Sequence, residues 1–231
     1  WLVEDRKAVC RPSDGYPAAP EGVPFPEVGF RCCRGATTNP APQNSVPQVT
    51  CPPGLTLAGE ACVALLEYPG HGAQIPEGGL SWEDAQQACQ SLSLRVCTEP
   101  EWARACEGET HRRWPYGNTY EPDACFIINS HNPNQVNARA SGTMTDCTTP
   151  EGIMDLSGNL WEWTRGTNGQ GVLRGGGWDF SAGLGQCRAR ASAEQDYSEA
   201  QIGVRCCSNP LPIEAMEAQD PTGGIPDEVA R

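Results

Sequence analysis

The chain has 231 residues, a formal net charge of −13, 26 glycines, 21 prolines and 13 cysteines. Such an acidic surface repels nucleic acid and anionic membranes, since phosphate binding needs clustered Lys and Arg and Lys7 is the single lysine. Glycine and proline together make up about a fifth of the residues, which argues against a helical bundle and indicates a loop-rich fold. No apolar run approaches the ~18 residues of a membrane span.

The cysteines indicate an oxidising compartment. They form no CxxC pair, and His71, His111 and His131 form no HxxxH pair, so zinc ligation is not favoured. A disulfide-bonded protein that is secreted, extracellular or on the cell surface is expected, with the periplasm as a further option. The odd count means that at least one cysteine is free or bonded outside this chain.

Composition divides the chain into four parts, of which the second is rich in Pro, Asn and Thr and the fourth is acidic with four prolines. The predicted parts are an incomplete domain at 1–33, a linker at 34–50, a complete domain at 51–207 and an extended acidic tail at 208–231.

An internal repeat connects the first and third parts. The string GFRCC at 29–33 returns as GVRCC at 203–207, and in both copies a tryptophan lies nine residues before an earlier cysteine. Residues 1–33 are therefore predicted to be the C-terminal part of a preceding or partner copy of the domain.

In chain order, the complete domain begins with a predicted hairpin at 51–62, which a disulfide between its two end cysteines would close. A first helix is predicted to begin at Ser81, with Asp84 completing a capping box. A second begins at Thr98, with Glu101 in the same role. After residue 108, Gly, Asn, Pro and Asp dominate, so short strand-like pieces joined by long loops are expected.

Several strings in residues 51–207 follow one another in the order of a known family. They are RVCTEPEW at 95–102, WPYGN at 114–118, GIMDLSGNLWEWT at 152–164, LRGGGW at 173–178, CRAR at 187–190 and GVRC at 203–206. On these strings the segment resembles the formylglycine-generating enzyme family, also called the sulfatase-modifying-factor domain. The resemblance implies an α+β, loop-rich, C-type-lectin-like fold with two helices and small antiparallel sheets, stabilised by disulfides.

The enzymes of that family oxidise a cysteine of their substrate with copper held by two cysteines, because a soft Cu(I) ion needs paired thiolates. The stretch that corresponds to this site, 178–187, contains one cysteine, Cys187. The position of the first catalytic cysteine falls near Phe180 or Ser181. Cys187 is thus the single catalytic candidate, and the alternative that it forms a structural disulfide is favoured. Copper is not expected.

The resemblance also implies a structural calcium ion. Its ligands would be Asp155, Gly158, Leu160 and Glu162, which combine carboxylates with backbone carbonyls on a tight turn. The alternative is that Asp155 stabilises the turn by hydrogen bonds while Glu162 pairs with an arginine.

Ten cysteines lie in the complete domain and suffice for five disulfides. The resemblance supports Cys106–Cys206, and either Cys89 or Cys97 is expected to face Cys207. Cys51 and Cys62 are expected to bond to each other. The remaining pairings are left to Cys125, Cys147 and Cys187.

The three cysteines outside the complete domain are Cys10, Cys32 and Cys33, which we predict to bond to a missing domain or another chain. The chain could be a fragment of a tandem-repeat precursor, or 1–33 could complete the domain of a neighbouring subunit. Residues 1–33 could also pack on the second domain and leave one thiol free.

Most side chains on the family motifs are predicted to be structural. We expect the tryptophans in the core and three arginines in buried ion pairs with Glu99, Glu101 or Glu162. The tryptophans are Trp82, Trp102, Trp114, Trp161, Trp163 and Trp178, and the arginines are Arg188, Arg190 and Arg205.

The predicted function is a non-catalytic, secreted structural or ligand-binding module of an extracellular assembly. The expected partners are other protein chains or another piece of the same precursor, with a glycan or protein ligand. One alternative is a copper- or thiol-dependent oxidase acting on cysteine peptides, and another is a calcium-dependent carbohydrate-binding lectin. Variable loops on a rigid scaffold suit recognition, which favours the binding module.

Overall fold

A computed structural model describes residues 2–4, 7–9, 48–127 and 137–213. The chain divides into two compact units, Trp1–Val46 and Pro47–Arg231. In the first unit the described backbone is an antiparallel hairpin of β1 (Leu2–Glu4) and β2 (Lys7–Val9). Cys10, Cys32 and Cys33 lie outside the described residues, as do most of the predicted linker and acidic tail, so the domain boundaries stay predictions.

The described residues of the second unit include two α-helices with the predicted N-termini. Helix α1 (Trp82–Ser91) is capped by Ser81, and helix α2 (Glu99–Glu107) is capped by Thr98. Both capping boxes are present, because the acid at N3 accepts the backbone N–H of the cap residue in each case. The C-cap of helix α2 is Gly108, whose φ of 61° lies in the left-handed region that favours glycine.

Short strands surround these helices. They are β3 (Val49–Thr50), β4 (Leu55–Ala58), β5 (Ala61–Ala64), β6 (Arg95–Val96), β7 (Trp161–Arg165), β8 (Gly171–Arg174), β9 (Arg190–Ala191), β10 (Ile202–Val204), β11 (Cys206–Ser208) and β12 (Leu211–Pro212). A 3-10 helix covers Ala182–Gly185. The two helices, the small sheets and the intervening loops confirm the predicted α+β, loop-rich fold class.

The strands form three sheets in the second unit: one four-stranded sheet in the order β10-β7-β8-β9, another in the order β4-β5-β11-β6, and the pair β12-β3. The hairpin predicted at 51–62 is present as β4 and β5, which are paired antiparallel. One pair differs from the expected antiparallel arrangement, because β10 runs parallel to β7. The long connection between these two strands lets the chain return to the sheet in the same direction.

The described core divides into three clusters of buried side chains. In one cluster the rings of Trp82 and Trp163 lie 5.9 Å apart, and Trp163 Nε1 donates to the carbonyl of Leu80 at 2.8 Å. A second cluster surrounds Trp102 and the third contains Trp178. All six tryptophans predicted to be structural are at most 8% exposed, which confirms their placement in the core.

Candidate functional site

All ten cysteines of the second unit are in disulfides, and Cys187 is one of them. It is bonded to Cys106, and neither residue has measurable exposure. The five bridges are Cys51–Cys62, Cys89–Cys206, Cys97–Cys207, Cys106–Cys187 and Cys125–Cys147. The local bridge between Cys51 and Cys62 is the one that the predicted hairpin indicates.

The expected bridge between Cys106 and Cys206 is wrong. Cys206 and Cys207 are neighbours on β11, and successive side chains of a strand point to opposite faces. Cys206 therefore lies in the cluster around Trp82, where it bonds to Cys89 of α1. Cys207 lies in the cluster around Trp102 and bonds to Cys97, one of its two expected partners. The Cys106 thiol in that second cluster is left for Cys187.

The two residues at the position expected for the first catalytic cysteine, Phe180 and Ser181, have structural roles. Phe180 makes an edge-on contact with Trp161, with ring centroids 5.2 Å apart. Ser181 precedes the 3-10 helix in an extended conformation and makes no side-chain cap. The segment between Trp178 and Cys187 therefore contributes an aromatic contact and a short helix, without a second thiol.

A buried ion pair lies at the centre of the site motif on β7. Glu162 and Arg205 have no measurable exposure, and Arg205 Nη2 donates to Glu162 Oε1 at 2.7 Å. Arg205 also donates to the carbonyls of Ala64 at 2.9 Å and Met154 at 2.8 Å. Trp102 Nε1 donates to the other oxygen of Glu162. This arrangement is the arginine pairing that the sequence offered as the alternative to calcium ligation.

Glu67 is a second buried carboxylate, which sequence analysis did not single out. It is 1% exposed and accepts from Ser141 Oγ at 2.9 Å, from Asn159 Nδ2 at 2.7 Å and from the backbone N–H of Leu160 at 3.1 Å. Burial raises the pKa of Glu67 well above its ordinary value, and the neighbouring Asp155 adds to the rise. No motif marks Glu67 in the sequence, because its partners come from distant loops.

The four residues of the predicted calcium set lie between Asp155 and Glu162, and both acidic side chains already have protein partners. Glu162 already accepts from Trp102 and Arg205, and the adjacent guanidinium repels a cation. Asp155 is 3% exposed and its Oδ2 accepts the backbone N–H of Gly142 at 2.7 Å. Burial raises the pKa of Asp155 to about 6. Among the described residues no group of three or more His, Cys, Asp or Glu side chains is placed to hold a metal ion.

Left-handed backbone conformations shape this turn. Asp155 and Asn159 have φ values of 61° and 58°, which Asp and Asn tolerate better than other side chains. Gly158 has a φ of 79°, and a Cβ atom there would collide with the carbonyl oxygen of Phe126. The calcium set stays a prediction that the observed pairing of Glu162 does not favour.

Calcium is expected to leave the melting temperature of EDTA-treated protein unchanged, because Arg205 and Trp102 hold the Glu162 carboxylate. A site with a Kd of about 10 µM would instead add about 2.7 kcal/mol of stability at about 1 mM calcium, and so raise the melting temperature by several degrees. Thermal melting followed by tryptophan fluorescence measures the difference. A calcium-dependent rise that Glu162→Gln removes would restore the predicted site.

Three arginines form ion pairs with acidic side chains of α2. Glu99 contacts Arg174 Nη1 and Arg190 Nε, each at 3.1 Å, and Glu107 contacts Arg188 Nε at 3.4 Å. Burial lowers the pKa of Arg174, and Arg190 beside it lowers that pKa further against the effect of Glu99. Arg205 alone of the three arginines expected in buried pairs has one, since the side chains of Arg188 and Arg190 are 70% and 57% exposed.

An apolar groove of about 420 Å³ lies between the β4–β5 hairpin and the end of α1. Its walls include Leu55, Leu66, Tyr68 and Leu94. Leu92 also lines the groove and is 42% exposed. The groove is separate from the cysteine pair at 106 and 187.

In the part of the chain that the structure describes, no helix is both long enough and apolar enough to cross a membrane.

Comparison with known proteins agrees with this geometry. Residues 65–210 match the sulfatase-modifying factor enzyme 1-like domain family, and the chain belongs to that family. Over 162 residues it is 31% identical to the inactive C-alpha-formylglycine-generating enzyme 2 of Mus musculus, a match that covers 61% of this chain and 53% of the relative. The protein of the same name from Bos taurus is 29% identical over 161 residues, with 61% and 54% covered. The chain thus spans about half the length of these curated relatives.

Two solved structures are similar in fold alone. Treponema denticola variable protein 1 superposes with a TM-score of 0.56 at 16% identity, over 65% of this chain and 84% of that one. PvdO from Pseudomonas aeruginosa superposes with a TM-score of 0.50 at 15% identity, over 68% and 73%. The predicted family and its C-type-lectin-like, α+β fold are confirmed.

Proposed function

We propose that this chain is a non-catalytic, secreted module that provides structure or binds a partner in an extracellular assembly. The observation that carries the proposal is the bridge between Cys106 and Cys187, which buries the single cysteine of the 178–187 segment. Copper chemistry of the formylglycine-generating type needs two neighbouring thiolates for a soft ion. A cysteine held in a buried disulfide supplies neither a thiolate nor access for a substrate peptide.

The relatives support the loss of activity. The two curated mammalian proteins most useful for comparison are named inactive, and this chain is 31% and 29% identical to them over the matched residues. The apolar groove beside α1 and the loops on a scaffold of five disulfides favour a binding role. The same disulfides favour secretion into an oxidising compartment.

A tandem precursor accounts for the remaining cysteines. The repeat of GxRCC at 29–33 and 203–207 assigns Cys10, Cys32 and Cys33 to the end of another copy of the domain. In such a precursor, the front part of the first copy would supply the partners of these three cysteines. Non-reducing mass spectrometry of the native protein would identify the partners of these three cysteines.

Copper-loaded protein is expected to give no oxidation of a cysteine-containing sulfatase-type peptide, since all ten cysteines of the second unit are bonded in disulfides. Mass spectrometry of the peptide after incubation with the protein and Cu(I) measures turnover. Cys187→Ser provides the control, because it removes the single candidate nucleophile. Turnover that this substitution abolishes would establish the oxidase alternative and overturn the proposal.

A further inference from the structure

Four arginines gather around the position that a catalytic cysteine would occupy. The backbone N–H of Cys187 donates to the carbonyl of Arg113 at 3.0 Å, and Arg113 Nε donates to Gln186 Oε1 at 3.0 Å. Arg174 Nη2 donates to the carbonyl of Cys187 at 2.7 Å. The other two, Arg188 and Arg190, follow directly along the chain. We call the group formed by Arg113, Arg174, Arg188 and Arg190 the arginine surface.

The acidic side chains that contact the arginine surface are too few to neutralise it. Among the described residues, the carboxylates in ion pairs with these four guanidinium groups are those of Glu99 and Glu107. Glu99 is shared between Arg174 and Arg190, and the polar partner of Arg113 is a neutral amide. Four positive charges therefore face two negative ones on a chain whose net charge is −13.

The exposed arginines of this surface can exchange their intramolecular carboxylate partners for those of another chain. The side chains of Arg188 and Arg190 are 70% and 57% exposed, so water screens their attraction to Glu107 and Glu99. Buried Arg174, with its side chain 6% exposed, holds its charge beneath them. Glu99 and Glu107 are eight residues apart on α2, so their Cα atoms lie about 12 Å apart along the helix.

We propose that the arginine surface binds an acidic segment of a partner polypeptide. Glu99 and Glu107 already form ion pairs with exposed guanidinium groups of this surface. Asp or Glu side chains of a partner would form the same kind of pair and supply the negative charge that the surface lacks. The acidic remainder of the molecule repels such a partner, which directs it to this surface. The inference rests on the proposed binding function and specifies the chemistry of its partner.

Fluorescence anisotropy with a labelled peptide of about ten glutamates tests the proposal, since an extended peptide of this length spans about 33 Å. Binding to the native protein is expected at about 20 mM salt and weaker binding at about 150 mM, because the charges are exposed. The double variant R188Q/R190Q is expected to weaken binding at least about tenfold.

The control is R104Q/R165Q, which removes the same charge from two arginines outside the arginine surface. It is expected to change the affinity less than about twofold. An equal loss of affinity in both variants would show non-specific attraction and contradict the proposal. Absence of peptide binding at low salt would overturn it as well. A heparin fragment of matched charge that binds the surface more than about tenfold tighter than the peptide would assign it to a polysaccharide instead. None of these outcomes alters the turnover test of the proposed function.

Discussion

Replacement of Arg205 by methionine is expected to destabilise the domain by about 3–5 kcal/mol, the usual effect of removing one partner of a buried ion pair. The guanidinium donates to both Glu162 oxygens and to the carbonyls of Ala64 and Met154, with no measurable exposure of its side chain. Methionine fills much of the volume and donates to none of these acceptors. Urea unfolding followed by tryptophan fluorescence measures the loss.

The size of this effect follows from the charges that remain. Without Arg205, Glu162 stays buried beside Glu67 and Asp155, whose pKa values burial already raises. Arg205 is the positive neighbour that opposes this rise for both groups. Its loss therefore leaves three buried acids near one another, and they must take up protons or rearrange.

Arg104→Met provides the matched control. Arg104 pairs with Glu109 at 2.8 Å, but the side chains are 37% and 86% exposed, so a loss below about 1 kcal/mol is expected. Similar stability of the two variants would contradict the central role assigned to Arg205. If Arg205→Met does not fold at all, the milder Arg205→Lys is expected to fold with reduced stability, because it keeps a charge and loses the paired donors.

Sequence reasoning predicted the local features well because their causes are local. Each helix begins where a Ser or Thr is followed three residues later by an acid, and both capping boxes are present in the structure. The fold class followed from the order of the family strings. The parallel pairing of β10 with β7 depends on a long connection and left no pattern in either strand.

The site was predicted in part, because motif residues do not identify their distant partners. The turn at 155–162 was located, and the pairing of Glu162 with an arginine was foreseen as an alternative to calcium. Glu67 was not foreseen, since its hydrogen bonds join it to Ser141, Asn159 and Leu160, far along the chain. The expected bridge between Cys106 and Cys206 is wrong for a similar reason. The alternation of Cys206 and Cys207 on β11 decides their partners, and motif order alone does not reveal it.

Removal of the Cys106–Cys187 bridge is expected to destabilise the domain by about 4–5 kcal/mol. The bridge joins residues 81 positions apart, so it removes a large amount of conformational entropy from the unfolded chain. The double variant Cys106→Ala/Cys187→Ala avoids a free thiol and a buried hydroxyl. Urea unfolding under non-reducing conditions measures the change in the free energy of unfolding.

The Cys51–Cys62 bridge offers a comparison with a shorter loop. Its cysteines are 11 positions apart, so Cys51→Ala/Cys62→Ala is expected to lose about 3 kcal/mol, less than the longer bridge.

Peptide mapping of the parent protein without reduction should recover Cys106 linked to Cys187. Recovery of Cys106 linked to Cys206 would refute the pairing. Cys187 would then be bonded to another cysteine or be a free thiol. As a free thiol it would again be a candidate nucleophile. The proposed loss of catalysis and the expected stability difference therefore depend on the same bond.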